Sequence, residues 1–207
     1  MNTATINILD VKIANITLLD AVANITAAAK EQQRLSHFAF VNADCINLSV
    51  TNPGYKAVLD ATQQVFGDGS GIRYASKISQ QPIADNVNGT DLYPLLCEQA
   101  RAEGLSIYYL GGLPGVAKQA GLRSSKRYPG LKVAGYHDGF FDDSELDSII
   151  QQINDSHADI LLVAMGAPLQ ETWIAENADR LKVGAAIGVG GLFDFLSKSV
   201  SRAPQLA

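Results

Sequence analysis

The sequence lacks most of the common chemical signatures. Its only cysteines, Cys45 and Cys97, stand far apart and outside any CxxC or Cys/His spacing, which excludes a disulfide framework or zinc site and leaves both as core thiols. No Asp-x-Asp occurs, so the carboxylate pair with which many sugar-nucleotide enzymes hold a divalent metal is missing, and no metal site is expected. Neither GxGxxG nor GxxxxGK[ST] is present, which argues against a dinucleotide-binding dehydrogenase and a P-loop NTPase. Positive charge is not in excess: 16 Lys and Arg face 21 Asp and Glu, for a formal charge of −5. That balance excludes a general nucleic-acid binder, and any anionic ligand must be held by a local site. The apolar stretches around 160–167 and 183–193 are far below membrane-spanning length, and residues 1–6 lack the basic and apolar regions of a signal peptide. The expectation is a cytoplasmic protein.

What is present is an ordinary globular composition, 47% hydrophobic in 207 residues, without repeats or linkers, so one domain over 1–207 is expected. Thr17-Leu18-Leu19-Asp20 reads as a capping box opening an Ala-rich helix to about Gln33. Short apolar runs at 37–41, 64–66, 106–110, 132–136, 160–164 and 184–189 read as buried strands. Helix-length segments at 90–103, 114–126, 144–156 and 169–178 separate the later ones. Near-continuous apolar strands alternating with helices predict an α/β, Rossmann-like domain, a mainly parallel sheet with helices on both faces. In such sheets ligands bind beyond the carboxyl ends of the strands.

Those ends carry Asn42-Ala43-Asp44, Gly67-Asp68-Gly69-Ser70-Gly71, Gly111-Gly112-Leu113-Pro114-Gly115, Tyr136-His137-Asp138-Gly139, Gly166-Ala167-Pro168-Leu169-Gln170-Glu171 and Gly190-Gly191-Leu192-Phe193-Asp194. Glycines let backbone approach a ligand, and following helix N-termini offer free N–H groups to a diphosphate. Gly111 and Gly112 are the expected pyrophosphate neighbours, with bulky replacements weakening nucleotide binding and sparing the fold. Asp68 is the leading catalytic candidate because it follows a buried strand between exposing glycines and precedes a helix near Ile72. Each residue also has a plainer reading. Asp68 suits a helix cap, the glycines suit tight turns, His137 suits a surface turn, Gln170 suits the first turn of a helix, and Trp173 suits core packing better than a sugar platform.

Taken in order, these motifs resemble the WecG/TagA/CpsF glycosyltransferases of bacterial polysaccharide and teichoic-acid assembly. The resemblance rests also on Val87-Asn88-Gly89-Thr90-Asp91, Arg127-Tyr128-Pro129-Gly130-Leu131 and Ile187-Gly188-Val189-Gly190-Gly191, and it covers nearly the whole chain. It implies an inverting, metal-independent transfer of an N-acetylmannosamine-type sugar from a UDP-sugar donor to a polyprenyl-diphosphate-linked acceptor, without a cofactor. By position it implies Asp68 as base, with Asn42 beside it and Gln170 near the donor. Substrate contacts are expected from Gly69, Asn88, Gly111, Gly112, His137, Gly166, Gly191 and Asp194.

Phe40, Asn86 and Leu169 depart from the family pattern, which often has Thr, Arg and Lys there. The sequence ends where the family typically continues into a basic, amphipathic tail, so the tail is expected to be either cut off or naturally dispensed with, leaving uncovered apolar surface for a homo-oligomer of low activity; the resemblance also implies peripheral contact with the inner face of the cell membrane. The alternative reading is a nucleotide-sugar-binding protein with little or no transferase activity.

Overall fold

The computed structural model describes residues 4–31 and 34–197. It opens with a hairpin that the sequence reading passes over. β1 (Thr5–Ile8) pairs antiparallel with β2 (Val11–Ala14), and Leu9 and Asp10 make the turn at φ 47° and 64°. Positive φ at both positions matches the right-handed twist of the strands. Leucine is an unusual residue for such a turn, so no Asn-Gly signal marks it.

α1 (Leu18–Lys30) starts as the capping box predicts: Asp20 N donates to Thr17 Oγ1 at 3.2 Å, and Thr17 N donates to Asp20 Oδ2 at 3.1 Å. It stops at Lys30, short of the expected Gln33, which lies outside the described residues. β3 (Ser36–Val41) leads into two short helices that the sequence reading also passes over, α2 (Ala43–Thr51) and α3 (Pro53–Ala61). Asn42 and Asn52 cap them, each Oδ1 accepting a backbone N–H at 3.0 Å, and Pro53 fits the first turn of α3. The chain continues through β4 (Gln64–Gly67), α4 (Ser70–Ile78), α5 (Gly89–Glu103), β5 (Ser106–Gly111), α6 (Val116–Arg127), β6 (Lys132–His137), α7 (Leu146–Asp155), β7 (Ile160–Ala164), α8 (Leu169–Asn177), β8 (Ala185–Gly188) and α9 (Leu192–Leu196).

The six later strands form one parallel sheet in the order β4-β3-β8-β7-β5-β6. Its apolar runs are buried on both faces with a period of two, except in β6, expected as a buried strand, whose residues are half-buried or exposed because it is an edge strand paired on one side only. Ile107, Tyr109, Ile160, Leu162 and Ile187 pack with α1, α5, α6 and α9, whereas Tyr108, Leu110, Leu161, Val163 and Ala186 pack with α7 and α8. The hairpin, α2 and α3 close the β4 side over Ala39, Val41 and Val65. Each large apolar side chain fully buried in these layers contributes about 1.5–3 kcal/mol. Cys45 and Cys97 are both buried and unpaired, and Trp173 lies in the α7–α8 layer, as their plainer readings hold.

Topology now places the site. From β3 the chain steps outward to β4, crosses to β5 and β6 on the far side, and returns through β7 and β8 to the centre. Connections that leave the middle of a parallel sheet in opposite directions open a crevice at the carboxyl ends of its strands.

Candidate active site

Two clefts meet at that end of the sheet and share Gly190 and Gly191. The smaller, about 230 Å³, is walled by Phe40, Asn42, Asp68, Gly89, Thr90, Gln170 and Phe195 among others. The larger, about 810 Å³, is walled by Gly112, Leu113, Phe140, Phe141, Gly166, Leu169 and Asp194 among others. A concavity of about 1030 Å³ opens elsewhere, by Ser36 and His37. It lies at the amino end of β3, where a parallel sheet offers neither free helix N-termini nor glycine loops, and it includes none of the residues singled out for chemistry.

Register brings Asp68 and Asn42 together. Val41 pairs with Gly67 in the parallel β3–β4 ladder, so the next residue of each strand leaves the sheet beside the other, and Asp68 N donates to Val41 O at 2.8 Å. Asp68 is half-buried on the cleft wall, while the N-cap of α4 is the following Gly69, with φ 90° and no side-chain cap. Asn42 is exposed, and its Oδ1 is committed to Cys45 N. Asn86, where the family often has Arg, accepts Gly69 N on Oδ1 at 2.8 Å and so ties down the loop that presents Asp68.

Gln170, expected near the donor, lines the smaller cleft with its amide engaged by the protein itself. It is 3% exposed, and its Oε1 accepts from Gly166 N at 3.1 Å and from Gly190 N at 2.9 Å, which clamps the loops after β7 and β8 together. Its Nε2 donates to Glu171 Oε1 at 2.6 Å. Glu171 has no exposed surface, and its Oε2 has no partner among the described residues. Desolvation pushes its carboxyl above the usual range, outweighing the hydrogen bond from Gln170. Gly188 makes room for the pair, since a Cβ there would lie 2.8 Å from both Gln170 Nε2 and Glu171 Oε1. Beneath them burial raises the pKa values of the Tyr55 phenol and the Cys45 thiol, with Glu171 adding to both shifts. A thiol shifted that way is a poor nucleophile.

The remaining expected contacts divide. Gly112, Gly166, Gly191 and Asp194 line the larger cleft, and Gly191 also lines the smaller. Gly69, Asn88, Gly111 and His137 line neither. Asn88 is 7% exposed and caps α5, accepting Asp91 N at 2.9 Å and donating to Asp91 Oδ2 at 2.7 Å. His137 ends the edge strand with Nδ1 2.9 Å from Asp138 O, its ring edge-on to Phe141, which faces the cleft in its place. Gly112 presents no free donor to a phosphate, because its N–H bonds Ala164 O at 2.8 Å.

The two glycines are also no fold-neutral probes. A Cβ at Gly111 would lie 2.2 Å from Ala164 O, and one at Gly112 would lie 2.8 Å from Val116 Cγ1, both at positive φ. Gly111→Val is expected to cost more than about 4 kcal/mol, the range of severe core disruption. Gly166→Ala, with no atom within 4 Å of the added Cβ, bears mainly the backbone strain of its φ of 78°, about 1–2 kcal/mol. Thermal melts of the two variants check the ranking, and equal melting temperatures would contradict it.

Sequence reasoning gave Glu171 no role, although it quoted the motif that contains it. A charged residue in the first turn of a helix ordinarily complements the dipole from the surface. Only the packing of α8 against the sheet reveals that this one is buried. No Lys or Arg stands on the walls of either cleft among the described residues, and no group of His, Cys, Asp and Glu there is arranged to hold a metal.

The β3–β4 register thus sets an aspartate beside an asparagine at the carboxyl edge of a parallel sheet with a Rossmann-like fold, before glycine loops and helix N-termini, where sheets of this kind bind their ligands. The chain belongs to the glycosyl transferase WecG/TagA/CpsF family, whose sequence model matches residues 6–207. It is 29% identical over 205 residues to an N-acetylglucosaminyldiphosphoundecaprenol N-acetyl-beta-D-mannosaminyltransferase of Bacillus spizizenii, across 99% of this chain and 78% of that protein. It is 28% identical over 206 residues to a Staphylococcus aureus protein of the same description, across 99% of this chain and 80% of that one. The chain is thus a glycosyltransferase of cell-wall polysaccharide or teichoic-acid assembly.

Proposed function

We propose that this chain transfers an N-acetylmannosamine-type sugar from a UDP donor to a polyprenyl-diphosphate-linked N-acetylglucosamine, with inversion and without a metal. The carrying observation is the β3–β4 register, which sets Asp68 beside Asn42 on the cleft wall. The names of the relatives supply the sugar and the lipid-linked acceptor. In this reading the Asp68 carboxylate takes the proton of the acceptor hydroxyl as its oxygen attacks the anomeric carbon. The bond from that carbon to the diphosphate oxygen breaks, and UDP leaves with the electron pair. The N-terminus of α8, at the junction of the clefts, favours the developing negative charge. Gln170 and Glu171 position the loops and do not touch the reacting atoms.

The test is incubation of the purified chain with UDP-N-acetylmannosamine and a short-chain prenyl-diphosphate N-acetylglucosamine in excess chelator. UDP release with a β-linked disaccharide product is expected. A strict need for magnesium or manganese, or a retained anomeric configuration, would overturn the metal-free inverting reading. The cation-free walls favour a second reading, a nucleotide-sugar-binding protein with little transfer. UDP-sugar binding by calorimetry without any product would establish it.

A further inference from the structure

Positive charge in this acidic chain is concentrated on one helix. α6 carries Lys118, Arg123, Lys126 and Arg127, a quarter of the 16 Lys and Arg, and no Asp or Glu. All four are exposed, and none is in an ion pair among the described residues. Helical spacing sets Lys118, Leu122 and Lys126 in one outward row, with Leu122 50% exposed between the two ammonium groups. Lys118 Nζ lies 5.8 Å from the ring centroid of the exposed Tyr136. Beside this row Arg123, Lys126 and Arg127 rim a groove of about 530 Å³ whose floor is Tyr93, Tyr128, Phe195 and Leu196. Arg123 Nη1 donates to Leu196 O at 3.3 Å across it.

From this geometry we infer that the outer face of α6, with the groove beside it, is the surface that rests on an anionic lipid bilayer. A helix face with cations around an exposed leucine, flanked by the exposed Tyr136, fits the headgroup boundary: the cations meet lipid phosphates while the leucine enters the acyl edge. No helix among the described residues is long and apolar enough to cross a membrane. α6 also begins directly after the loop of Gly112 and Leu113 on the larger cleft, so contact along the helix holds that cleft at the bilayer. The inference concerns docking alone and does not depend on which sugar is transferred.

Vesicle co-sedimentation of the full chain, without donor or acceptor, tests it independently of transfer. Binding to mixed phosphatidylglycerol–phosphatidylcholine vesicles is expected at low salt, with little binding to phosphatidylcholine alone and release as salt is raised. Each basic residue near the surface contributes roughly fivefold, so Lys118→Gln/Arg123→Gln/Lys126→Gln should weaken binding by about a hundredfold. Lys12→Gln/Lys77→Gln/Lys182→Gln, which removes three exposed charges elsewhere, should bind nearly as the parent. Lys118→Gln/Lys126→Gln, which keeps the Arg123 hydrogen bond, should lose roughly twenty-five-fold and covers the case in which the triple variant misfolds. Undiminished binding by the α6 variants, or equal loss in the remote variant, would overturn the inference. So would capture by phosphatidylcholine vesicles carrying a prenyl phosphate but not by phosphatidylglycerol vesicles, since the groove would then recognise that lipid and not the bilayer.

Discussion

Asp68→Asn is expected to slow transfer by roughly a hundred- to ten-thousand-fold, the range for loss of a positioned general base, while donor affinity and melting temperature stay near those of the parent. Asparagine keeps the size and much of the hydrogen bonding of aspartate but cannot take the acceptor proton. The alternative role for Asp68, a helix cap, predicts almost no change in rate, because asparagine caps nearly as well. The structure gives the N-cap of α4 to Gly69 and presents Asp68 to the cleft instead. Turnover, calorimetric UDP-sugar affinity and a thermal melt on both proteins decide between the two. Near-normal turnover would remove Asp68 from the mechanism. His137 would not replace it, since it lines neither cleft and its Nδ1 is taken up by Asp138 O.

Gln170→Leu is expected to lower stability by about 3–5 kcal/mol, well beyond the effect of removing a substrate contact. The substitution roughly conserves volume but strands three groups. Gly166 N and Gly190 N lose their acceptor, and the buried Glu171 carboxyl loses its donor. A fully buried polar group left without a partner costs about 1–3 kcal/mol, which applies to Glu171, and the part-buried Gly166 and Gly190 N–H groups add smaller amounts. A side chain that only reached toward the donor sugar would leave stability within about 0.5 kcal/mol, as surface substitutions do. Denaturant unfolding of the two proteins reads the difference directly. Unchanged stability would show that the two loops hold their positions without the clamp.

The chemical candidates were legible in unequal measure, for an identifiable reason. The place of Asp68 on the cleft wall was legible because it stands one residue beyond a readable apolar strand, where position along the chain already implies position at the sheet edge. Asn42 was singled out through the resemblance, and the β3–β4 register sets it beside Asp68. Asn88 and Gly111 belong to motifs just as visible, yet one is spent capping α5 and the other is packed against Ala164. Whether a residue at a strand end faces the cleft or the scaffold depends on the direction of one or two peptide units, which spacing does not carry.

What the sequence by itself determined is the layered α/β fold and its parallel sheet. Apolar runs at 37–41, 64–66, 106–110, 160–164 and 184–189 have to be buried on both faces, and the helices between them supply the cover. It also determined the start of α1, because Thr17 and Asp20 satisfy each other's backbone within one turn. The β1–β2 hairpin escaped because Leu9 and Asp10 take positive φ without glycine, and α2 and α3 escaped because at 9 residues each they fall short of the roughly 10–12 residues by which a helix run is told from other short segments. Only the tertiary structure decided the strand order, the convergence of two clefts on Gly190 and Gly191, and the burial of Gln170 and Glu171, with the Gln170 amide holding two loops together. Those outcomes depend on contacts between segments far apart in the chain, and local propensity holds no information about which distant backbone N–H will need an acceptor.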